Sequence, residues 1–194
     1  MTPLEPTAPT SLGALLAAAA DAGLVVLSAA SWPEETADAE VPPLAGFIES
    51  AFSPLLAEVA ARALRRRPER RRPEPAVPGP VTAIVMVTAH GDVTSATRVA
   101  AAVDAGSRVS PLLFFQSVPN AVAGYLAARW DLTGPVVCVS GMGAGLDIAA
   151  TLIDDADADE ALVTRIDLAG AGDGLDRGAA LLVTRPDRNL PLTA

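Results

Sequence analysis

Residues 135–147 read PVVCVSGMGAGLD, an apolar strand, a glycine-dense turn and the start of a helix. A sharp strand-to-helix turn exposes a side chain at a helix N-terminus, where the dipole stabilises developing negative charge. Many α/β enzymes place a Ser or Cys there. Here the turn consists of Ser140, Gly141, Met142, Gly143, Ala144 and Gly145. The scaffold of an acyl-transfer site is present and its reactive atom is absent.

Outward from this segment, strands alternate with helices. Ser11 caps a helix through Ala22 that Gly23 ends, and Leu24–Ala29 is the first strand. Ser31–Pro43 is an acidic, proline-containing loop, and Leu44–Leu64 carries helical spacing with Phe52, Leu55, Leu56, Val59 and Leu64 on one stripe. Val81–Thr88 is a continuous apolar run, as expected of a strand covered on both faces. Asp92 caps a helix Val93–Asp104 that Gly106 terminates, and Ser117 with Pro119 opens a helix Ala121–Trp130. Strand Val136–Ser140, helix Leu146–Ile153 and strands Ala161–Ile166 and Ala179–Thr184 complete the chain. This order predicts an α/β fold with a mixed, mostly parallel sheet covered by helices on both faces. Residues 1–10, with Pro3, Pro6 and Pro9, read as a disordered tail, and residues 11–194 as a single domain with an Arg/Pro-rich loop at 65–80.

Composition narrows the function classes. The chain has 194 residues, 51% of them hydrophobic but only 4% aromatic, so the core is an aliphatic one. The formal charge is -9, yet half of the basic residues are Arg62, Arg65, Arg66, Arg67, Arg70, Arg71 and Arg72, which leaves an acidic body. Such a body argues against general nucleic-acid binding, which needs a broad positive face. The single Cys138 excludes an intramolecular disulfide and any cysteine-based metal site, and suits a reducing cytoplasm. Leu12–Trp32 approaches membrane-span length but contains Asp21 and reads as helix plus strand, so neither a signal peptide nor a membrane span is expected. No metal or other cofactor is called for.

The run FFQSVPNAVAGYLAARWDLTGPVVCVSG, residues 114–141, resembles the ketosynthase family of the thiolase superfamily. Ser117, Asn120, Ala123, Gly124, Ala127, Trp130, Leu132, Gly134 and Pro135 match in order the segment leading into the strand that delivers that family's catalytic cysteine. More loosely, 52–64, 87–103 and the strands after 159 resemble the rest of the family's N-terminal half, closest to the shortened β-ketoacyl synthase N-terminal-like domain. The resemblance implies a thiolase-like N-terminal half. It also implies a nucleophile position that falls on Met142 or Gly143, neither of which forms a thioester. The family's two catalytic histidines come from a C-terminal half, and His90 matches neither. Chain-length factors, the inactive partners of type II polyketide ketosynthases, also lack the cysteine while keeping a following G-L-D, as Gly145-Leu146-Asp147 does here.

By that resemblance the chain is a catalytically inactive subunit that binds or shapes a ketosynthase-like partner in polyketide or fatty-acid-type biosynthesis. The family's dimer is joined through the strand equivalent to Val136–Ser140, so Asn120, Tyr125, Val136, Val137 and Val139 are the candidate interface. Arg65, Arg66, Arg67, Arg70, Arg71 and Arg72 are candidates for docking an acyl carrier protein, whose carboxylates and phosphate suit guanidinium forks. They also read as a solvated linker. Two other readings stay open. Ser140 or Cys138 could act with His90 in an acyltransferase or hydrolase, although G-x-S-x-G is not met and Cys138 reads as a buried, inert thiol with a raised pKa. Gly141, Gly143 and Gly145 leading to Asp167 form a weak dinucleotide-binding pattern, spaced G-x-G-x-G rather than G-x-G-x-x-G.

Overall fold

The computed structural model describes residues 11–68, 79–111, 113, 118–169 and 175–186. The expected tail 1–10, most of the 65–80 loop and Ser117 lie outside them. Helix α1 (Leu12–Asp21) starts where the Ser11 hydroxyl accepts a hydrogen bond from the Ala14 N–H, and Gly23 follows it at φ 69°. Strand β1 (Val25–Trp32) runs three residues further than expected, taking Ser31 and Trp32 from the acidic loop. Helix α2 (Phe52–Arg65) starts eight residues later than the periodicity of 44–64 suggests. Pro42 and Pro43 precede it, Gly46 sits at φ 88°, and the Ser50 hydroxyl accepts from the Ser53 N–H instead.

Strand β2 (Thr82–Val87) leads to α3 (Val93–Asp104), whose predicted cap is formed: Asp92 accepts from the Ser95 N–H and Gly106 follows at φ 64°. Helix α4 (Asn120–Trp130), strand β3 (Val136–Val139), helix α5 (Met142–Asp154) and strands β4 (Glu160–Asp167) and β5 (Arg177–Thr184) follow.

The five strands form one sheet in the order β1-β5-β4-β2-β3. The β4–β2 and β2–β3 ladders are parallel, and the β1–β5 and β5–β4 ladders antiparallel. The sheet is therefore mixed rather than mostly parallel. Only residues 168–176 separate β4 from β5, too few for the crossover of a dozen or more residues that a parallel return requires, so β5 turns back antiparallel.

Both faces are covered, as expected. Ile84 and Met86 of β2, Leu162 and Ile166 of β4, and Ala180 and Leu182 of β5 join one apolar cluster with α2 and α4. The alternate residues Val85, Val87, Val163, Leu181 and Val183 join a second cluster with α1 and α5. Two-sided burial explains why these strands read as unbroken apolar runs. Among the described residues no helix is long and apolar enough to cross a membrane.

Candidate functional site

β2 and β3 end side by side, with the Thr88 N–H donating to the Val139 carbonyl at 3.0 Å. Close approach here depends on Gly134, where a Cβ would lie 2.6 Å from the Thr82 carbonyl and the Ala83 nitrogen. The Gly134 N–H donates to the Thr82 carbonyl and the Ile84 N–H to the Pro135 carbonyl, so β3 is seated on β2 from its first residue.

The glycine-dense segment is not a free turn before a helix at Leu146. It is the first turn of α5, which starts at Met142 with Gly141 as an extended N-cap (φ −122°) and no side-chain cap. Gly145 explains the early start. A Cβ there would sit 2.6 Å from a Val87 methyl, so a bare backbone lets the first turn close onto β2 and β3. Gly141 and Gly143 differ, because a Cβ at either meets no atom within 4 Å. The helix N-terminus is thus open at the place where a nucleophile would stand, and Met142, Gly143 and Ala144 supply no attacking atom there.

Ser140 and His90 are both exposed, one just past β3 and the other just past β2, on the same edge of the sheet. No hydrogen bond joins the Ser140 hydroxyl, the Cys138 thiol and the His90 imidazole. Cys138 corrects an expectation: it is exposed rather than buried, because β3 is an edge strand with alternating exposure. Partial desolvation still pushes its thiol above the usual range. Asp167, the acidic end of the dinucleotide pattern, receives the Arg165 Nε–H at 2.7 Å.

The candidate interface residues divide into two sets. Val136 (41% exposed), Tyr125 (38%) and Asn120 face outward. Val137 and Val139 are half-buried, and Val139 packs on the second cluster. Tyr125 also meets Phe47 edge to face at 6.4 Å between ring centres.

The arginine run is partly engaged inside the fold. Arg66 holds Glu34 through two charge-assisted hydrogen bonds of 2.8 and 2.7 Å, and Arg67 pairs with the buried Glu160. Arg65 is exposed and 3.9 Å from Glu58, its one ion-pair partner among the described residues, while Arg70, Arg71 and Arg72 lie outside them. A network that the sequence reading missed ties the loop after β1 to α2. Arg62 grips Asp38 with both terminal nitrogens at 2.8 Å, takes Glu58 on Nε at 2.7 Å, and lies 4.6 Å over the Trp32 ring. The Arg62 hydrogen bond holds the Asp38 carboxyl well below the usual range, and Arg66 lowers Glu34 in the same way. Only the Glu58–Arg62 spacing of i, i+4 was readable in advance. Among the described residues no three His, Cys, Asp or Glu side chains group so as to hold a metal ion.

Residues 75–167 match the family model described as Beta-ketoacyl synthase, N-terminal domain. No curated protein matches the chain. Among solved structures, a ketosynthase in complex with its chain length factor from Xenorhabdus doucetiae is similar over 90% of this chain and 73% of the matched one, with a TM-score of 0.58 and 20% identity. The ishigamide ketosynthase/chain length factor is similar over 80% of this chain and 49% of that one (TM-score 0.57, 20% identity). A β-ketoacyl synthase from Burkholderia phymatum STM815 is similar over 80% and 47% (TM-score 0.58, 16% identity). This chain spans about half the length of the latter two. The fold is that of a ketosynthase N-terminal-like domain, as the resemblance implied.

Proposed function

We propose that this chain is a catalytically silent ketosynthase-like subunit of polyketide or fatty-acid-type biosynthesis, acting in the cytoplasm, that pairs with a ketosynthase-like partner through β3 and thereby shapes or stabilises it. The observation that carries the reading is the character of that edge. Free sheet edges are ordinarily blunted by charge, proline or a bulge. β3 is Val-Val-Cys-Val, with Val136 and Cys138 exposed and no charged residue along it. Four more large apolar side chains left in water, Val93, Val103, Val118 and Tyr125, fall in the segment between β2 and β3.

Chemistry argues in the same direction. Acyl condensation needs a nucleophile, its activator and an oxyanion hole in one place. The open start of α5 can offer backbone N–H groups, but Met142, Gly143 and Ala144 supply no nucleophile there, and no hydrogen bond links the nearby Ser140 hydroxyl to the His90 imidazole. Two similar structures pair a ketosynthase with a chain length factor, which supports a partner of that kind. Carrier-protein docking draws on Arg65, whose contact with Glu58 is a long one at 3.9 Å, together with Arg70, Arg71 and Arg72, since Arg66 and Arg67 hold their acidic partners more closely. Co-expression with an intact ketosynthase of the kind paired with a chain length factor tests the reading, with co-purification as the expected result.

The second reading is an acyltransferase or hydrolase, favoured by Ser140 and His90 sharing one sheet edge. Incubation with an acyl-carrier-protein thioester and intact-mass spectrometry separates the two. The silent subunit stays at its native mass, whereas an adduct lost in Ser140→Ala or Cys138→Ala establishes the enzyme.

A further inference from the structure

At the opposite end of the sheet from β3, the loop after β1, the start of α2 and the residues just before β5 line an open cavity of about 470 Å³. Its volume lies within the ~300–1,000 Å³ range of small-molecule sites, and it sits at the carboxyl end of β1, on the sheet edge where α/β folds gather ligands. Its walls are apolar and aromatic: Trp32, Leu44, Phe47, Ile48 and Leu175. Two of these are left in water, Ile48 at 82% and Leu175 at 69% exposure.

The charge on the lining has one sign. Among the described residues, Asp38, Glu40 and Asp176 contribute to it and no Arg does. Asp38 is neutralised by Arg62 through two hydrogen bonds of 2.8 Å. Asp176 has one oxygen accepting the Ala169 N–H, and Glu40 stands exposed. Aromatic rings beside carboxylates recognise organic cations, the rings through their negative faces and the carboxylates through charge. Trp32 already holds one cation in this way, the Arg62 guanidinium. A fatty acid's own carboxylate, in contrast, would face Glu40 and Asp176 with like charge.

We infer that this cavity binds a small organic ammonium ion with an apolar body, seated on Trp32, Phe47, Ile48 and Leu175 with its charge toward Glu40 and Asp176. The inference is independent of partner pairing through β3. The test uses the full chain carrying Trp130→Phe, which leaves Trp32 as the sole tryptophan. Octylammonium chloride, octanoate and octanol are titrated below their micellar or solubility limits while tryptophan emission is followed. Octylammonium gives a saturable change at least about tenfold tighter than octanoate or octanol, in line with a charge-assisted contact. In Glu40→Gln/Asp176→Asn its affinity falls to the octanol value. Absence of saturation, equal binding of the three probes, or a preference that survives the double substitution overturns the inference. Calorimetric titration of the unsubstituted chain supplies the same comparison if Trp130→Phe does not fold.

Discussion

The two glycines that frame the open start of α5 do opposite things. At Gly145 a methyl must be placed 2.6 Å from a Val87 methyl in a close-packed contact, so Gly145→Ala is expected to destabilise by about 1–3 kcal/mol. At Gly143 there is open space and helical backbone, so Gly143→Ala is expected to stabilise by about 0.5–1 kcal/mol. Denaturant unfolding of both variants checks the pair, and equal effects would mean that α5 does not close onto β2 as described. The sequence showed three glycines after a strand. It did not show which one the packing demands, because that depends on Val87 and Val139, which come from two different strands.

At the scale of elements, reading succeeded where the signal was local and failed where it was not. The caps of α1 and α3 are legible because Ser11 and Asp92 bond to N–H groups three residues on and Gly23 and Gly106 adopt positive φ. The direction of β5 was not legible, since an apolar run buried on both faces looks the same parallel or antiparallel. The exposure of Cys138 was missed for a related reason: edge position is a property of sheet order, which no four-residue strand encodes. The loop after β1 escaped because Glu34 and Asp38 meet Arg66 and Arg62 across 32 and 24 residues of chain.

That loop carries a pH prediction. Glu34 and Asp38 both have folded pKa values below their ordinary range, so their contribution is present above the unfolded value near 4 and is lost as the pH falls through the folded values. The loss in thermal midpoint caused by Arg62→Gln should therefore be full at neutral pH and should shrink progressively below about pH 4. A difference that stays constant into acid contradicts the ion-pair account. At β3, a Lys at position 136 supplies the charge that natural edges use for protection. Val136→Lys is expected to leave the unfolding midpoint nearly unchanged, because Val136 is 41% exposed, while abolishing partner binding.

For the whole molecule, the fold and the residues at the start of α5 belong to one account. The aliphatic two-sided core keeps β2, β3 and α5 in the arrangement of a ketosynthase N-terminal-like domain, and the position at the start of α5 is occupied by groups that cannot attack a carbonyl. The most exposed strand of that sheet is an uncharged edge, β3. Iodoacetamide alkylation reports on it directly. Cys138 in the free chain should react, with a rate that rises above the ordinary thiol pH range, and should be protected in the complex.

The most direct test of the central claim is size-exclusion chromatography with light scattering on the chain co-expressed with an intact ketosynthase, as wild type and as Val136→Lys. A complex containing one copy of each chain, lost in Val136→Lys while both proteins remain folded, is the predicted result. Separate elution of the wild-type proteins, or a complex indifferent to Val136→Lys, would contradict pairing through β3.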